Sequence, residues 1–164
     1  MTRERRVELT RVEGSYEFVS SSGSSARFGD PADGSLSPMD TLLAALAACT
    51  AMDVHAIAMK KRLRIDDYRV HVTAQQRDEH PRVYSRIDVT HDVAGRGLSV
   101  DAIRRSIELS AAKYCPASAM LSAGPTEIHH HYVVRNAEPV PWQEAGEVVV
   151  TGPGWITEAP LVAG

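Results

Sequence analysis

The sequence predicts a single domain of mixed strands and helices, and three observations carry that expectation. Residues 7 to 35 consist of short alternating runs broken by Ser, Gly and Asp-Gly punctuation. A capped, alanine-rich apolar stretch then runs from Ser37, and beyond it two alternating runs, a second capped stretch and a last strand-like run complete the pattern. At 164 residues with 43% hydrophobic content, the chain has the length and apolar material for one core.

Val7-Glu8-Leu9-Thr10-Arg11-Val12 alternates with period two, and turn chemistry at Gly29-Asp30-Pro31 and Asp33-Gly34 closes a region that reads as a small meander of strands. Ser37-Pro38-Met39-Asp40 supplies an N-cap serine, a proline at the first helical position and an acid three residues after the cap. The helix that starts there is apolar on nearly every side from Leu42 to Met52 and turns basic at Lys60-Lys61-Arg62. A helix of that kind is buried on more than one side, which makes a second copy of the chain a natural partner. Residues 68 to 76 and 82 to 93 alternate and read as two paired strands separated at His80-Pro81. Ser99 caps a second helix that is broken at Tyr114-Cys115-Pro116, because the residue before proline is pushed out of the helical region. Cys115 is thereby expected as the N-cap of a short helix covering Pro116 to Leu121, followed by a strand from Thr126 to Val134. Past Asn136 the Pro and Gly content rises, and residues 136–164 read as a C-terminal tail to a domain of residues 1–135, with Val148-Val149-Val150 as one strand-like run.

Charged residues make up 24% and the net charge is −3, so the chain offers no basic footprint for nucleic acid. Met1-Thr2-Arg3-Glu4-Arg5-Arg6 has no apolar run behind it, and no segment reads as approaching the roughly 20 apolar residues of a membrane span. A cytoplasmic protein without a membrane partner is the expectation. Two cysteines are too few for a secreted disulfide framework, so a redox role for them would be a cycling one.

Cys49 falls well inside the first helix, beyond the first turn where the helix dipole acts, so a cation from elsewhere would have to activate it. In such a position a free cysteine also serves as a small core hydrophobe. Cys115 faces the unsatisfied N–H groups of a helix start, which favour a thiolate, and from placement alone it is the better-activated thiol. The 66 residues between them say nothing about contact. In the run His129-His130-His131 only the first and third share a strand face, and with no spacing matching a closed zinc set, no metal is expected. Asp53 and His55 are two apart on the helix and do not face each other, so no Cys-His dyad follows.

Residues 36 to 53 (Leu-Ser-Pro-Met-Asp-Thr-Leu-Leu-Ala-Ala-Leu-Ala-Ala-Cys-Thr-Ala-Met-Asp) and 109 to 121 (Leu-Ser-Ala-Ala-Lys-Tyr-Cys-Pro-Ala-Ser-Ala-Met-Leu) closely resemble the two cysteine helices of the OsmC/Ohr family of osmotically inducible and organic hydroperoxide resistance proteins. The likeness runs from about Val7 to Arg135, includes Asp78-Glu79-His80-Pro81-Arg82-Val83, and is closest to the family's YhfA-like branch. It implies an α+β fold, with an N-terminal β-meander and a sheet packed around two central cysteine-bearing helices, in an intertwined homodimer. It further implies a cofactor-free thiol peroxidase in which Cys49 is the peroxidatic and Cys115 the resolving cysteine. Ala26-Arg27-Phe28-Gly29 resembles the segment that carries the activating arginine, which makes Arg27 the third catalytic candidate. The family's glutamate ten residues before the peroxidatic cysteine is Met39 here, a departure, and Asp40 beside it fits the capping box. The implied substrate is an organic hydroperoxide, with hydrogen peroxide slower, and the implied reductant is a dithiol such as a lipoyl group. With the glutamate missing, a low-turnover thiol redox sensor or small-molecule binding module on the same fold is the alternative. A metal-binding protein using the cysteines and histidines is a weaker third.

Overall fold

A computed structural model describes residues 4–152. The chain divides into two compact units that meet in sequence at Ala44 and Ala45. The first holds three antiparallel strands, β1 (Val7–Val12), β2 (Ser15–Ser20) and β3 (Ser25–Phe28), in the order β1-β2-β3. This is the meander expected from the alternating runs. Glu13 and Gly14 join β1 to β2 with φ of 45° and 88°, the two-residue connection whose twist suits a hairpin. Helix α1 (Pro38–Lys60) starts in this unit as its sequence requires. The Asp40 N–H donates to Ser37 Oγ at 3.4 Å, and the Thr41 hydroxyl donates to the Ser37 carbonyl at 2.9 Å.

The second unit contains most of α1, the four-stranded sheet and two further helices. Strands β4 (Arg64–Gln76) and β5 (Tyr84–Arg96) pair antiparallel, as the two alternating runs predict. Helices α2 (Val100–Leu109) and α3 (Pro116–Ser122) then cross over to β6 (Glu127–Asn136), which pairs parallel with β5. Strand β7 (Trp142–Thr151) pairs antiparallel with β6, from Asn136↔Trp142 to Ile128↔Thr151. The region beyond Asn136 contributes a full strand that includes the strand-like run Val148-Val149-Val150, and Pro139 and Pro141 sit in the β6–β7 connection. Residues 153–164 of the expected tail lie outside the described residues.

The core of this unit joins Val54 and Ala58 of α1, Val93 of β5, Ile103 and Ile107 of α2, and Tyr132 and Val134 of β6. Its edges are half-buried, with Trp142 and Val148 of β7 packed against it. Alternation along β6 is strict: Ile128, His130, Tyr132 and Val134 are buried, and His129, His131 and Val133 lie on the other face. His91 and His130 are fully buried. They belong to a row of stacked rings, His55, Tyr68, His91 and His130, with successive centroids 6.3, 6.0 and 6.3 Å apart. Burial pushes both buried imidazoles down, His91 to about 3 and His130 to about 4.

One expectation is overturned by α1. Its 23 residues are long and apolar enough, by length and composition, to cross a membrane. The alanines and methionines on either side of Asp53 extend the apolar stretch past the point where the charged residue interrupts it in sequence. The buried side chains of α1 are Leu46, Thr50, Val54 and Ala58, one stripe at a spacing of four, and two of the four belong to the core shared with β5 and β6. The remaining faces of the helix leave Met52 and Met59 exposed.

Candidate active site

Three segments that are local in sequence build the site. The first is the middle of α1, which carries Cys49, Thr50 and Asp53 within little more than one turn. The second is the end of α2, where Ser110 to Tyr114 form a single wide π-helical turn before Cys115. Such turns insert one residue into a helix and re-aim the residues after it. The third is the start of α3, where Cys115 has extended backbone angles of −76° and 104° and Pro116 takes the first helical position. Cys115 Sγ accepts from the Ser118 N–H at 3.4 Å, so this cysteine is the N-cap that its place before proline predicts.

The two thiols meet. Cys49 Sγ, Cys115 Sγ and a carboxylate oxygen of Asp53 all lie within 4.8 Å of one another, and both cysteines are free. Cys115 is only 2% exposed, whereas Cys49 is half-buried, so the α1 thiol is the more open to a small molecule. Burial pushes the Cys49 thiol up to about 11. A backbone hydrogen bond from Ala117 works against that rise, while the Cys115 thiol and the Asp53 carboxylate add to it. A polar relay lies beside the sulfurs. The Ser110 hydroxyl, fully buried, is 3.1 Å from the Thr50 hydroxyl and donates to Asp53 Oδ2 at 3.2 Å.

Asp53 is the residue that sequence reasoning missed. It stands four residues after Cys49, one helical turn on, and that spacing puts two side chains on one helix face. The signal was present in the Cys49-to-Asp53 spacing. Cys49, Asp53 and Cys115 are also a donor set that could hold a soft or borderline metal ion. His55, the other candidate on α1, stacks on Tyr68 instead.

Arg27 lies exposed on β3, in the first unit, where its Nε donates to Ser15 Oγ at 2.6 Å. Met39 is half-buried in the first turn of α1, and Asp40 beside it is exposed.

The fold agrees with that of known proteins to which the chain is similar. The OsmC-like protein family matches residues 30–131, a span that takes in both cysteines. The chain belongs to the OsmC family. Protein YhfA of Escherichia coli, strain K12, is 37% identical over 106 residues, which cover 65% of this chain and 79% of YhfA. A hypothetical protein from Aquifex aeolicus shares the fold with a TM-score of 0.75 at 25% identity, over 84% of this chain and all of that one. An organic hydroperoxide resistance protein from Elizabethkingia anophelis has the same fold with a TM-score of 0.60 at 14% identity, over 84% of this chain and 99% of that one. The α+β architecture is therefore that of the OsmC family, some of whose members are named for hydroperoxide resistance.

Proposed function

We propose that this OsmC-family protein is a thiol peroxidase that reduces organic hydroperoxides, and hydrogen peroxide more slowly, with no cofactor. The observation that supports the reading most is the pair of free thiols within 4.8 Å, the half-buried one on α1 and the buried one capping α3. In the first step the Cys49 thiolate attacks the terminal peroxide oxygen. The O–O bond breaks, the alcohol leaves with a proton, and Cys49 becomes a sulfenic acid. The Cys115 sulfur then attacks the Cys49 sulfur, water leaves, and a disulfide forms. A dithiol, by family analogy a lipoyl group, returns both cysteines to thiols and becomes a disulfide itself.

A thiol held up at about 11 is a poor nucleophile near neutral pH, so the chemistry needs a cation at Cys49 in the reactive state. On the resemblance of Ala26-Arg27-Phe28-Gly29 to the family's arginine segment, Arg27 is the proposed source of that cation. The exposed Met52 and Met59 on α1 support a homodimer, because they leave apolar surface that a second copy would cover. A free cysteine pair that cycles suits the reducing cytoplasm, and this reading puts the protein there.

The raised Cys49 thiol and the Met39 substitution favour a second reading, a slow redox sensor or binding module using the same pocket. One assay separates the two. Consumption of an alkyl hydroperoxide over many turnovers with dihydrolipoamide supports the peroxidase, and a single stoichiometric oxidation that stops there supports the sensor.

A further inference from the structure

The sheet face that points away from the core carries a cluster that the thiol chemistry does not use. His129 and His131 stand two residues apart on β6 and project from that face, while His130 between them is buried on the other. The strand register supplies what the sequence spacing lacks. On one side β5 sets Asp88 opposite His129, and on the other β7 sets Glu147 opposite His131. One ligand atom each from Asp88, His129 and His131 lies within 4.8 Å of the other two. His131 Nε2 is 3.0 Å from Asp88 Oδ1, and His129 Nδ1 is 2.9 Å from Glu147 Oε2. The two imidazoles are near-parallel, with centroids 6.3 Å apart and planes 12° off. Their side chains are 13% and 27% exposed and that of Asp88 is 26% exposed, so the donors are partly withdrawn from water yet reachable.

We propose that Asp88, His129 and His131, with Glu147 orienting His129 through its Nδ1, bind a divalent transition-metal ion, Zn2+ foremost, on the outer face of the sheet. Two imidazoles with a carboxylate form a borderline donor set that suits Zn2+ and disfavours Mg2+ or Ca2+, which take oxygen ligands. Charge points the same way. Asp88 and Glu147 bring two carboxylates to the imidazoles, Glu127 Oε2 lies a further 3.5 Å from His129 Nε2, and Asp88 is held by the guanidinium of Arg86. It grips Asp88 through Nε at 2.8 Å and a terminal nitrogen at 2.6 Å. A divalent ion would balance both carboxylates, with Arg86 released from Asp88. The site shares no residue with the cysteine cluster, and it stands whether or not the peroxidase reading holds.

The test uses the full chain without an affinity tag, with Cys49→Ser and Cys115→Ser to remove the thiol donors, after stripping with a chelator. Zn2+ alone is titrated near neutral pH in competition with a chromophoric chelator. The expected result is one ion bound per chain, with His129→Asn and His131→Asn each weakening binding by at least about tenfold. Arg86→Gln should strengthen binding, because it removes the cation that competes for Asp88; a merely structural ladder of side chains would not give that gain. Circular dichroism checks the fold of each variant, and if one histidine variant unfolds, the other and Arg86→Gln still decide. Absence of saturable binding, or binding that the histidine and Arg86 changes leave untouched, overturns the proposal.

Discussion

Asp53 lies one helical turn beyond Cys49, with a carboxylate oxygen within 4.8 Å of both cysteine sulfurs. A negative charge there opposes a thiolate, so Asp53 is a brake on the nucleophile. Its own position is fixed by the Ser110 hydroxyl, which also sits against Thr50. Asp53→Asn keeps the shape and a hydrogen-bond acceptor for Ser110 while removing the charge. In a Cys115→Ser background, where Cys49 is the one thiol left, the thiolate absorbance should then rise at lower pH. Alkylation at a fixed pH below the titration midpoint should speed up about threefold for each half-unit fall in the thiol pKa. An unchanged titration curve would mean that solvent screens the carboxylate from the sulfur.

Arg27→Met is expected to act in the opposite direction. If Arg27 supplies the activating cation, its loss leaves Cys49 with burial and negative neighbours alone, and peroxide-dependent sulfenate formation should slow about tenfold for each unit by which the thiol pKa rises. Arg27→Lys, which keeps the charge, should retain more of the rate. A reaction as fast as that of the unchanged protein would make Arg27 a structural partner of Ser15, and nothing more.

Acid should destabilise the fold through His91 and His130. Both are held neutral by burial, with folded values of about 3 and about 4 against 6.5 for a free imidazole. Above pH 6.5 neither state binds the protons and the stability is fully present. Below it the unfolded chain takes up protons that the folded chain refuses, and stability falls until pH reaches the folded values. The slope is up to about 1.4 kcal/mol per pH unit for each imidazole. Urea denaturation between about pH 6.5 and about pH 4.5 measures it, and His130→Gln should remove part of the slope. A flat profile over that window would contradict the buried neutral pair.

Ending the chain after Arg135 should cost stability even though the family match ends at residue 131. It would strip β7 from β6, expose β6 as a bare edge and remove Trp142 and Val148 from the core. A lower melting temperature and loss of soluble protein are the expected results. Unchanged thermal unfolding would show that β7 adds nothing to the sheet's stability.

The features legible in the sequence were local ones. Ser37, Ser99 and Cys115 are readable as caps because capping depends on a few neighbouring residues, and the alternating runs of β4 and β5 are readable by their period. The contact between Cys49 and Cys115 was not, since it depends on how α2 and its π turn deliver Cys115 to α1. Asp53 is legible from its spacing of four to Cys49, whereas its spacing of two to His55 points to no pairing. Asp88 and Glu147 could not be joined to the histidines from sequence. Their approach depends on β5 lying parallel to β6 after a crossover of two helices, and on the register of β7. The proline-rich stretch after Asn136 reads as a tail because turn residues mark a hairpin connection and a linker in the same way.

The central claim is a division of labour between two thiols, and replacing each by serine tests it most directly. The readout is peroxide consumed in a single turnover, together with mass spectrometry of each cysteine. Cys49→Ser should consume no peroxide above background and yield no trappable sulfenic acid. Cys115→Ser should give one stoichiometric burst and a sulfenic acid on Cys49, passing to sulfinic acid as peroxide rises, because the resolving thiol is gone. A burst from Cys49→Ser with none from Cys115→Ser would reverse the roles, and no oxidation of either cysteine would contradict the peroxidase account altogether.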